Sequence, residues 1–245
     1  MSALFYFIFV VFLISVIFLK FLRMRRYFFK FGELSSFAKN EIDKGPIVHN
    51  YTEIYERFFS LLKYKPIKIV EIGIDKGNSL NLWKAYFPLA KIYAIDIIDA
   101  SYLDSRRVKT FVADQANREQ LNSFIREFGN AYDIIIDDGG HTMNQQQISL
   151  GFLFKYVKPG GYYIIEDVHT SFPKFCSGYG VAKGGENSTF KMINNFYENG
   201  TFISKYLRDD EIDYLNNNIS YINLYVRNNK RHSMASIIKK KEKSV

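Results

Sequence analysis

Cysteine is almost missing from this sequence, which has Cys176 as its single cysteine among 245 residues. One cysteine excludes an internal disulfide framework and a metal site built from clustered thiolates. Internal repeats and low-complexity segments are also missing, and the length suits one domain with an appendage. Aromatic side chains are abundant instead, with 23 Phe and 18 Tyr, which easily fill a large core.

The body of the chain lacks an excess of positive charge, although the whole chain carries a net charge of +8. Residues 20–30 contain five lysines and arginines, and residues 227–243 contain seven against one glutamate. Residues 31–226 are therefore mildly acidic, with a net charge of −3. Because nucleic-acid binding relies on a basic surface, nucleic acid is not expected as a partner of the body.

Charged side chains are missing altogether from residues 3–19, and the apolar run resumes after Lys20. A helix continued through Leu22 is roughly 30 Å long, enough to cross a bilayer. A signal peptide is not expected, because no basic side chain precedes the run and an arginine-rich segment, not a cleavage site, follows it. Residues 1–30 are therefore predicted to be a transmembrane anchor with a basic flank, which places the body of the chain in the cytoplasm.

Strand and helix patterns alternate over most of the remaining sequence. Residues 31–50 are mixed and polar and predict a connector, and residues 51–245 predict one α/β domain. The apolar runs before Asp137 and Glu166 contain no charge, which is typical of strands buried on both faces of a parallel sheet. Strands are predicted at 67–71, 91–96, 108–112, 133–137 and 160–166, and helices at 51–64, 80–87, 118–128, 143–157, 191–197 and 211–215.

The last third of the chain departs from this alternation. A long loop with four glycines covers residues 170–188 and suits a lid or a substrate-recognition segment. Residues 219–226 and 233–238 follow the two short helices and are separated by an Asn-Asn turn. They predict an antiparallel hairpin at the sheet edge.

The glycine motif of dinucleotide-binding proteins is absent. Gly73 and Gly77 follow the first strand with the spacing G-x-x-x-G, and neither G-x-G-x-x-G nor a G-x-x-x-x-G-K-S/T loop occurs. Such a turn lets the backbone approach a nucleoside ligand without an extended pyrophosphate cradle, although a simple tight turn is the alternative. Asp96 ends the second strand about 20 residues farther on, where it can accept hydrogen bonds from a ribose diol or cap a turn.

Acidic residues and histidines follow the fourth and fifth strands. The carboxyl ends of parallel strands meet at one edge of a sheet, so these side chains are expected to gather there. Packed carboxylates repel one another unless a cation lies between them, and oxygen ligands suit Mg²⁺. Helix capping is the alternative for any single acid, but two acid pairs, each followed by a histidine, favour a metal site. The residues are Asp137, Asp138, His141, Glu166, Asp167 and His169.

Six segments of the sequence resemble a known family. They are VEIGIDKGNSLNLWKAYFP, YAIDI, ADQAN, DIIIDDGGH, LFKYVKPGGYYIIEDVHTSF and YINLY. They are similar to class I S-adenosylmethionine-dependent methyltransferases, and more narrowly to the macrolide sugar O-methyltransferases of the mycinamicin and macrocin type, which include cephalosporin hydroxylase-like relatives. The resemblance covers residues 49–238 and implies a Rossmann-like, mostly parallel α/β fold. Gly140 and Phe172 depart from the family pattern, which has Ser and Tyr there, and this leaves the substrate open.

The resemblance implies a cofactor site and a metal site. S-adenosylmethionine would be bound by Glu71, Gly73, Gly77, Ser79, Asp96, Asp114 and Asp137. The ligands of Mg²⁺ would be Asp137, Glu166 and Asp167, with Asp138 in reserve. Glu166 and Asp167 can both reach one ion only if the strand ends there and the chain turns, because neighbours in a strand face opposite sides.

The expected activity is transfer of a methyl group to a hydroxyl of a small-molecule or glycan acceptor. A metal ion would lower the pKa of that hydroxyl, and His141 or His169 would remove its proton. His169 is slightly favoured as the base, because it lies on the loop expected to cover the acceptor. An inactive cofactor-binding module, an NAD-dependent oxidoreductase and a metal-dependent hydroxylase are the alternatives. The acceptor and the oligomeric state stay open.

Overall fold

The computed structural model describes residues 33–38, 43–174, 177–227 and 233–243. Residues 1–30, the predicted anchor, lie outside this part of the chain, as do Cys176 and the predicted turn at residues 228 and 229. Within the described ranges, no helix has the length and apolar character that crossing a membrane requires.

Seven strands form one sheet at the centre of the described chain. They are β1 (Lys68–Ile72), β2 (Lys91–Asp96), β3 (Val108–Val112), β4 (Tyr132–Asp137), β5 (Val157–Ile165), β6 (Ile219–Val226) and β7 (Met234–Lys240). Their order across the sheet is β3-β2-β1-β4-β5-β7-β6. The first five strands are parallel, and β7 is antiparallel to both β5 and β6. The predicted α/β fold with an edge hairpin is therefore confirmed.

Helices connect and cover the strands. They are α1 (Leu34–Phe37), α2 (Tyr51–Phe59), α3 (Asn78–Tyr86), α4 (Arg118–Phe128), α5 (Met143–Leu153), α6 (Thr189–Asn199) and α7 (Asp209–Asn218). Short 3₁₀ turns occupy Ser60–Leu62, Ser101–Leu103, Phe154–Tyr156 and Val168–Ser171. Among the described residues of the long loop, neither helix nor strand occurs between the last of these turns and α6.

Side-chain alternation along β4 and β5 explains the two hydrophobic cores. Ile135 and Tyr163 face one core with α4 and α5, whereas Ile134, Ile136 and Ile164 face the other core with α2 and α3. Both faces are covered, which is why these strands carry uninterrupted apolar runs. The alternation along each strand thus determines which face of the sheet the acid after that strand lies on, because successive side chains point to opposite faces.

Local sequence signals set several helix limits. Asn117 begins α4 by accepting hydrogen bonds from the backbone N–H groups of Glu119 and Gln120, at 3.0 and 3.2 Å. Thr142 and Gln145 form a capping box at the start of α5. The helix α5 ends at Leu153, four residues before its predicted limit, because a 3₁₀ turn leads directly into β5.

The order of the parallel strands opens a cleft beside β1. Chain connections leave β1 toward β2 on one side, and β4 joins it on the other. In sheets of this kind, ligands bind at the carboxyl ends of the strands where the order reverses. The register pairs Ile72 with Asp137 and Asp137 with Ile165, so β1, β4 and β5 end at the same level.

Candidate active site

A cleft of about 550 Å³ lies at this point of reversal. Its lining comes from the turn after β1, the ends of β2 and β3, and the segment after β4. The predicted site residues that line it are Gly73, Ser79, Asp96, Asp114, His141 and the reserve candidate Asp138, and Asp43 and Gln115 join them. The sequence-based cofactor site therefore coincides in large part with a cavity of suitable size.

Gly73 brings the turn after β1 against the segment after β4. Its φ angle is +90°, and a Cβ there would lie 2.1 Å from the carbonyl oxygen of Asp138. Its N–H donates to the carbonyl oxygen of Ile95 at 2.8 Å, which ties the turn to β2 as well. Only glycine suits both the backbone conformation and the space.

Gly77 and Glu71 support the cleft from behind. Gly77 precedes α3 with a φ angle of +75°, and a Cβ there would lie 2.6 Å from Leu103. Glu71 is fully buried, and its Oε2 atom accepts from Ser79 Oγ at 2.8 Å and Trp83 Nε1 at 3.1 Å. Burial raises the pKa of Glu71 to about 7. Neither residue lines the cleft, so their predicted contact with a cofactor becomes an indirect one.

Asp96 and Asp114 stand at the cleft with carboxylates that also hold the backbone. Asp96 accepts hydrogen bonds from the N–H groups of Ile74 at 2.7 Å and Ile98 at 3.0 Å. Asp114 accepts from the N–H of Ala116 at 2.8 Å. Each carboxylate oxygen can accept a further hydrogen bond. Turn capping and ligand binding, the two alternatives considered for Asp96, are therefore compatible.

Asp137 does not reach the cleft, contrary to the expectation from the sequence. It shares a face of β4 with Ile135 and is fully buried under α5. Its carboxylate accepts from Gln115 Nε2 at 2.9 Å, from Tyr163 OH at 3.4 Å and from Ser149 Oγ. Burial raises the pKa of Asp137 to about 6. Side-chain alternation thus removes Asp137 from the candidate ion site and brings Asp138 into it.

Asp138, His141 and Asp167 form the acid and histidine cluster of the cleft. Their ligand atoms all lie within 4.8 Å of one another. His141 Nε2 lies 3.6 Å from Asp167 Oδ2 and 3.9 Å from Asp138 Oδ1. His141 has a φ angle of +56°, an unfavourable backbone conformation that aims its ring into the cleft. Two carboxylates beside an open cleft fit the oxygen preference and open coordination of Mg²⁺.

The chain turns sharply after β5, which brings both acids of the second pair to one side. The strand ends at Ile165, and Asp167 has a φ angle of +54°. Glu166 Oε1 accepts from Tyr55 OH at 2.6 Å, and Asp167 Oδ1 accepts from Tyr51 OH at 2.7 Å. The predicted turn is present, and α2 forms the wall behind both acids. Asp167 joins Asp138 and His141 in the candidate ion cluster, whereas Glu166, also a predicted ligand, lies outside that cluster.

Lys44 is a member of the site that the sequence did not reveal. Its side chain is buried, and Nζ lies 2.9 Å from Glu166 Oε1 and 3.5 Å from Glu71 Oε1, in contact also with Asp138. Burial lowers the pKa of Lys44, but the three carboxylates outweigh it and hold the pKa well above its usual value. A lysine in a polar connector is expected to be exposed to solvent, so only the tertiary structure could identify Lys44 as part of the site.

The two candidate bases differ in their access to the cleft. His141 lines the cleft. His169 is buried in the 3₁₀ turn after β5, with Nδ1 3.8 Å from Asp167 Oδ1. The geometry favours His141 as the base, whereas the sequence slightly favoured His169.

The neighbours of Asp167 favour its ionised form. Burial raises the pKa of Asp167, yet His141, His49 and Tyr51 together hold that pKa below the usual value.

The long loop reaches the rim beside His141. The carbonyl oxygen of Tyr179 accepts a hydrogen bond from the N–H of Met143 at 3.2 Å. The ring of Tyr179 lies 6.4 Å from that of His141, measured between centroids. Gly178 and Gly180 flank this tyrosine with positive φ angles and open space around them. The loop thus presents an aromatic ring beside His141.

No protein-family model matches the sequence. Among curated proteins, the chain is 36% identical over 152 residues to 8-demethyl-8-(2-methoxy-alpha-L-rhamnosyl)-tetracenomycin-C 3'-O-methyltransferase of Streptomyces olivaceus, covering 59% of this chain and 38% of that protein. It is also 36% identical over 151 residues to mycinamicin VI 2''-O-methyltransferase of Micromonospora griseorubida, covering 55% of this chain and 38% of that protein. The matched region spans well under half the length of either relative.

Among solved structures, the chain is similar to the MycE methyltransferase from the mycinamycin biosynthetic pathway in complex with Mg, SAH and mycinamycin VI. The TM-score is 0.70 at 28% identity, covering 86% of this chain and 55% of that chain. These similarities confirm the predicted resemblance to the macrolide sugar O-methyltransferases.

Proposed function

We propose, from this resemblance and from the site, that the chain transfers a methyl group from S-adenosylmethionine to a sugar hydroxyl of a small-molecule acceptor. The observation that carries the proposal is the cluster of Asp138, His141 and Asp167 at the rim of the cleft. The relatives are named O-methyltransferases, and the MycE structure contains Mg and SAH. The same cleft thus joins a cofactor-sized cavity to an acid and histidine pair suited to proton removal.

The cofactor would bind where the turn after β1 faces Asp96. Gly73 lets the backbone approach a ligand closely, and Asp96 can accept hydrogen bonds from the ribose hydroxyls. Asp114 lies at the end of β3, on the adenine side that the family resemblance assigns to it. The absence of a pyrophosphate-binding glycine motif in the sequence supports an adenosyl ligand over a dinucleotide.

His141 would act as the base. Its imidazole takes the proton of the acceptor hydroxyl while the hydroxyl oxygen forms a bond to the methyl carbon. The bond between that carbon and the sulfonium sulfur breaks at the same time, which leaves neutral S-adenosylhomocysteine. The carboxylate of Asp167, 3.6 Å from His141 Nε2, stabilises the imidazolium that forms. Orientation of the hydroxyl against the methyl group supplies much of the remaining rate enhancement.

A divalent ion fits beside this base. Asp138 and Asp167 would hold Mg²⁺, and Glu166 is linked to Asp138 through Lys44. When bound, the ion would lower the pKa of the acceptor hydroxyl. Asp138 and Asp167 would also keep the imidazole of His141 oriented toward the cleft.

The acceptor is proposed to be a glycosylated small molecule. The relatives act, by their names, on rhamnosylated tetracenomycins and on mycinamicin VI. A sugar ring has apolar faces that pack against aromatic rings, and Tyr179 offers such a ring beside His141. A lipid-linked glycan is the related acceptor that a membrane anchor at residues 1–30 would favour, with the catalytic domain in the cytoplasm.

Calorimetric titration of the full chain with S-adenosylhomocysteine and with NAD⁺ tests the cofactor. We expect binding of the first and none of the second, whereas binding of NAD⁺ alone would support an oxidoreductase. Methyl transfer from radiolabelled S-adenosylmethionine to rhamnosylated tetracenomycin, mycinamicin VI and lipid-linked glycans then tests the reaction. Cofactor binding without transfer to any of these acceptor classes would support an inactive module.

A further inference from the structure

Lys44 links three strand ends from outside the sheet. It lies on the turn between α1 and α2, and its Nζ reaches Glu71 on β1, Asp138 after β4 and Glu166 after β5. Its side chain is 1% exposed. A buried lysine surrounded by carboxylates is a fixed positive charge within the acidic group, so a bound metal ion would not be the only cation there.

The charges of the site explain why such a lysine matters. Four carboxylates lie within this group, those of Glu71, Asp138, Glu166 and Asp167. Without Lys44 they would attract divalent ions strongly and repel one another when no ion is bound. Lys44 offsets part of this negative charge, and a bound divalent ion would offset more of it.

Lys44 also divides the oxygens of Asp138 between two partners. Lys44 contacts Oδ2 of Asp138, and Oδ1 lies on the side of His141, 3.9 Å from its Nε2. On Glu166, the oxygen Oε1 accepts from both Lys44 and Tyr55. An ion that binds to the cluster can therefore contact Oδ1 of Asp138 directly, but it competes with Lys44 for Oδ2 of Asp138 and Oε1 of Glu166.

We propose that Lys44 is a positioning residue that competes with the divalent ion for the carboxylates of Asp138 and Glu166 and thereby lowers the ion affinity of the site. The proposal rests on the ion site of the proposed function. Removing the lysine charge frees Oδ2 of Asp138 and Oε1 of Glu166 and increases the negative charge around the ion. Since a unit charge in contact with an ion's carboxylate ligands changes the binding of the ion strongly, the affinity should rise at least about tenfold.

The test compares Mn²⁺ and Mg²⁺ binding by the full chain in the absence of cofactor and acceptor. Mn²⁺ binding is measured by electron paramagnetic resonance and Mg²⁺ binding by calorimetry, for the wild type, Lys44→Met, Lys44→Gln and Lys44→Arg. We expect at least about tenfold tighter binding by both neutral variants and an affinity close to wild type for Lys44→Arg. Gln can still hydrogen-bond to the carboxylates, so it covers the case in which Met prevents folding.

Lys240→Met is the matched control. Lys240 is also buried, but its Nζ donates to the carbonyl oxygens of Phe154, Lys155 and Val157, away from the cleft. Its loss should leave the ion affinity unchanged. A purely structural role for Lys44 would lower the stability of the neutral variants without tightening ion binding.

If the neutral variants bind the ion no more tightly than the wild type does, the proposal is overturned, whether or not the wild type binds the ion measurably. Ion binding by the neutral variants but not by the wild type would support it. The proposed function fails by a different measurement, absence of S-adenosylhomocysteine binding and methyl transfer in the wild type. The two failures are therefore distinguishable.

Discussion

Position within the cleft distinguishes His141 from His169, the other candidate base. His141→Gln is expected to lower the rate of methyl transfer by about 10²–10⁴-fold, the usual contribution of a general base. His169→Gln should have a smaller effect, because His169 is buried behind Asp167. Single-turnover assays give the rates, and calorimetry should show unchanged affinity for S-adenosylhomocysteine in both variants. A larger loss in the His169 variant would return the base to the residue that the sequence favoured.

Two adjacent aspartates should behave differently toward the ion. Asp138→Asn is expected to weaken Mn²⁺ binding by about tenfold or more, because it removes a charged ligand from the cluster. Asp137→Asn should change it by less than about threefold, since the Asp137 carboxylate is bonded under α5. Titration by electron paramagnetic resonance measures both. The reverse order would show that the end of β4 presents Asp137, not Asp138, to the site.

The same buried carboxylate predicts a pH dependence of stability. Burial raises the pKa of Asp137 from an ordinary value near 4 to about 6, so the folded state binds its proton more tightly than the unfolded state. Its contribution is fully present below about pH 4 and is lost as the pH rises through about 6, a change of roughly 2–3 kcal/mol. Urea unfolding of wild type and Asp137→Asn between pH 4 and 7 isolates it. A difference between the two proteins that does not vary with pH would contradict this prediction.

The error over these two aspartates has a simple physical origin. The run Ile134–Ile136 is apolar on both faces, so the sequence carries no inward and outward alternation from which the side of the next acid could be inferred. Only the position of the strand relative to the two cores decides that Asp137 joins Ile135 and that Asp138 faces the cleft. For Glu166 and Asp167, the sequence indicated that a turn was necessary, but only the structure shows that the turn is present.

At the scale of elements, regular patterns were predictable and irregular connections were not. The strands β2, β3 and β6 and the helix α4 have the limits that the sequence predicted. Their periodicity and caps are local properties of the sequence. The segment before α2 has no such periodicity, and its predicted role as a connector did not indicate a buried lysine. Burial of Lys44 depends on Glu71, Asp138 and Glu166, and the last of these lies 122 residues away along the chain.

The turn after β1 gives a prediction about close packing between elements. Gly73→Ala is expected to reduce the free energy of unfolding by about 2 kcal/mol or more, because its Cβ would overlap the carbonyl oxygen of Asp138. Gly200→Ala is the control, with a similar positive φ angle but open space, and should cost about 1 kcal/mol. Urea unfolding measures both. Equal losses would show that the backbone conformation, not the contact, requires glycine at residue 73.

At the scale of the whole molecule, the sequence makes a prediction about topology. The uncharged run at residues 3–19 and the basic cluster after it predict an anchor with the catalytic domain in the cytoplasm. Protease added outside intact cells should leave the domain uncut, and lysis should expose it. Cleavage in intact cells would reverse the orientation, and recovery of the full chain without detergent in the soluble fraction would contradict the anchor itself.

The ion pair of Lys44 with Glu166 joins residues 122 positions apart. During synthesis, the lysine leaves the ribosome long before β5 exists, so its charge stays in water until most of the sheet has been made. Contacts between such distant residues form late, because the entropy cost of closing a long loop comes before the contacts can stabilise the fold. The acid cluster around Lys44 is therefore expected to be among the last parts of the molecule to become ordered, and a nascent chain stopped before residue 166 would have a partial sheet but no closed acid cluster.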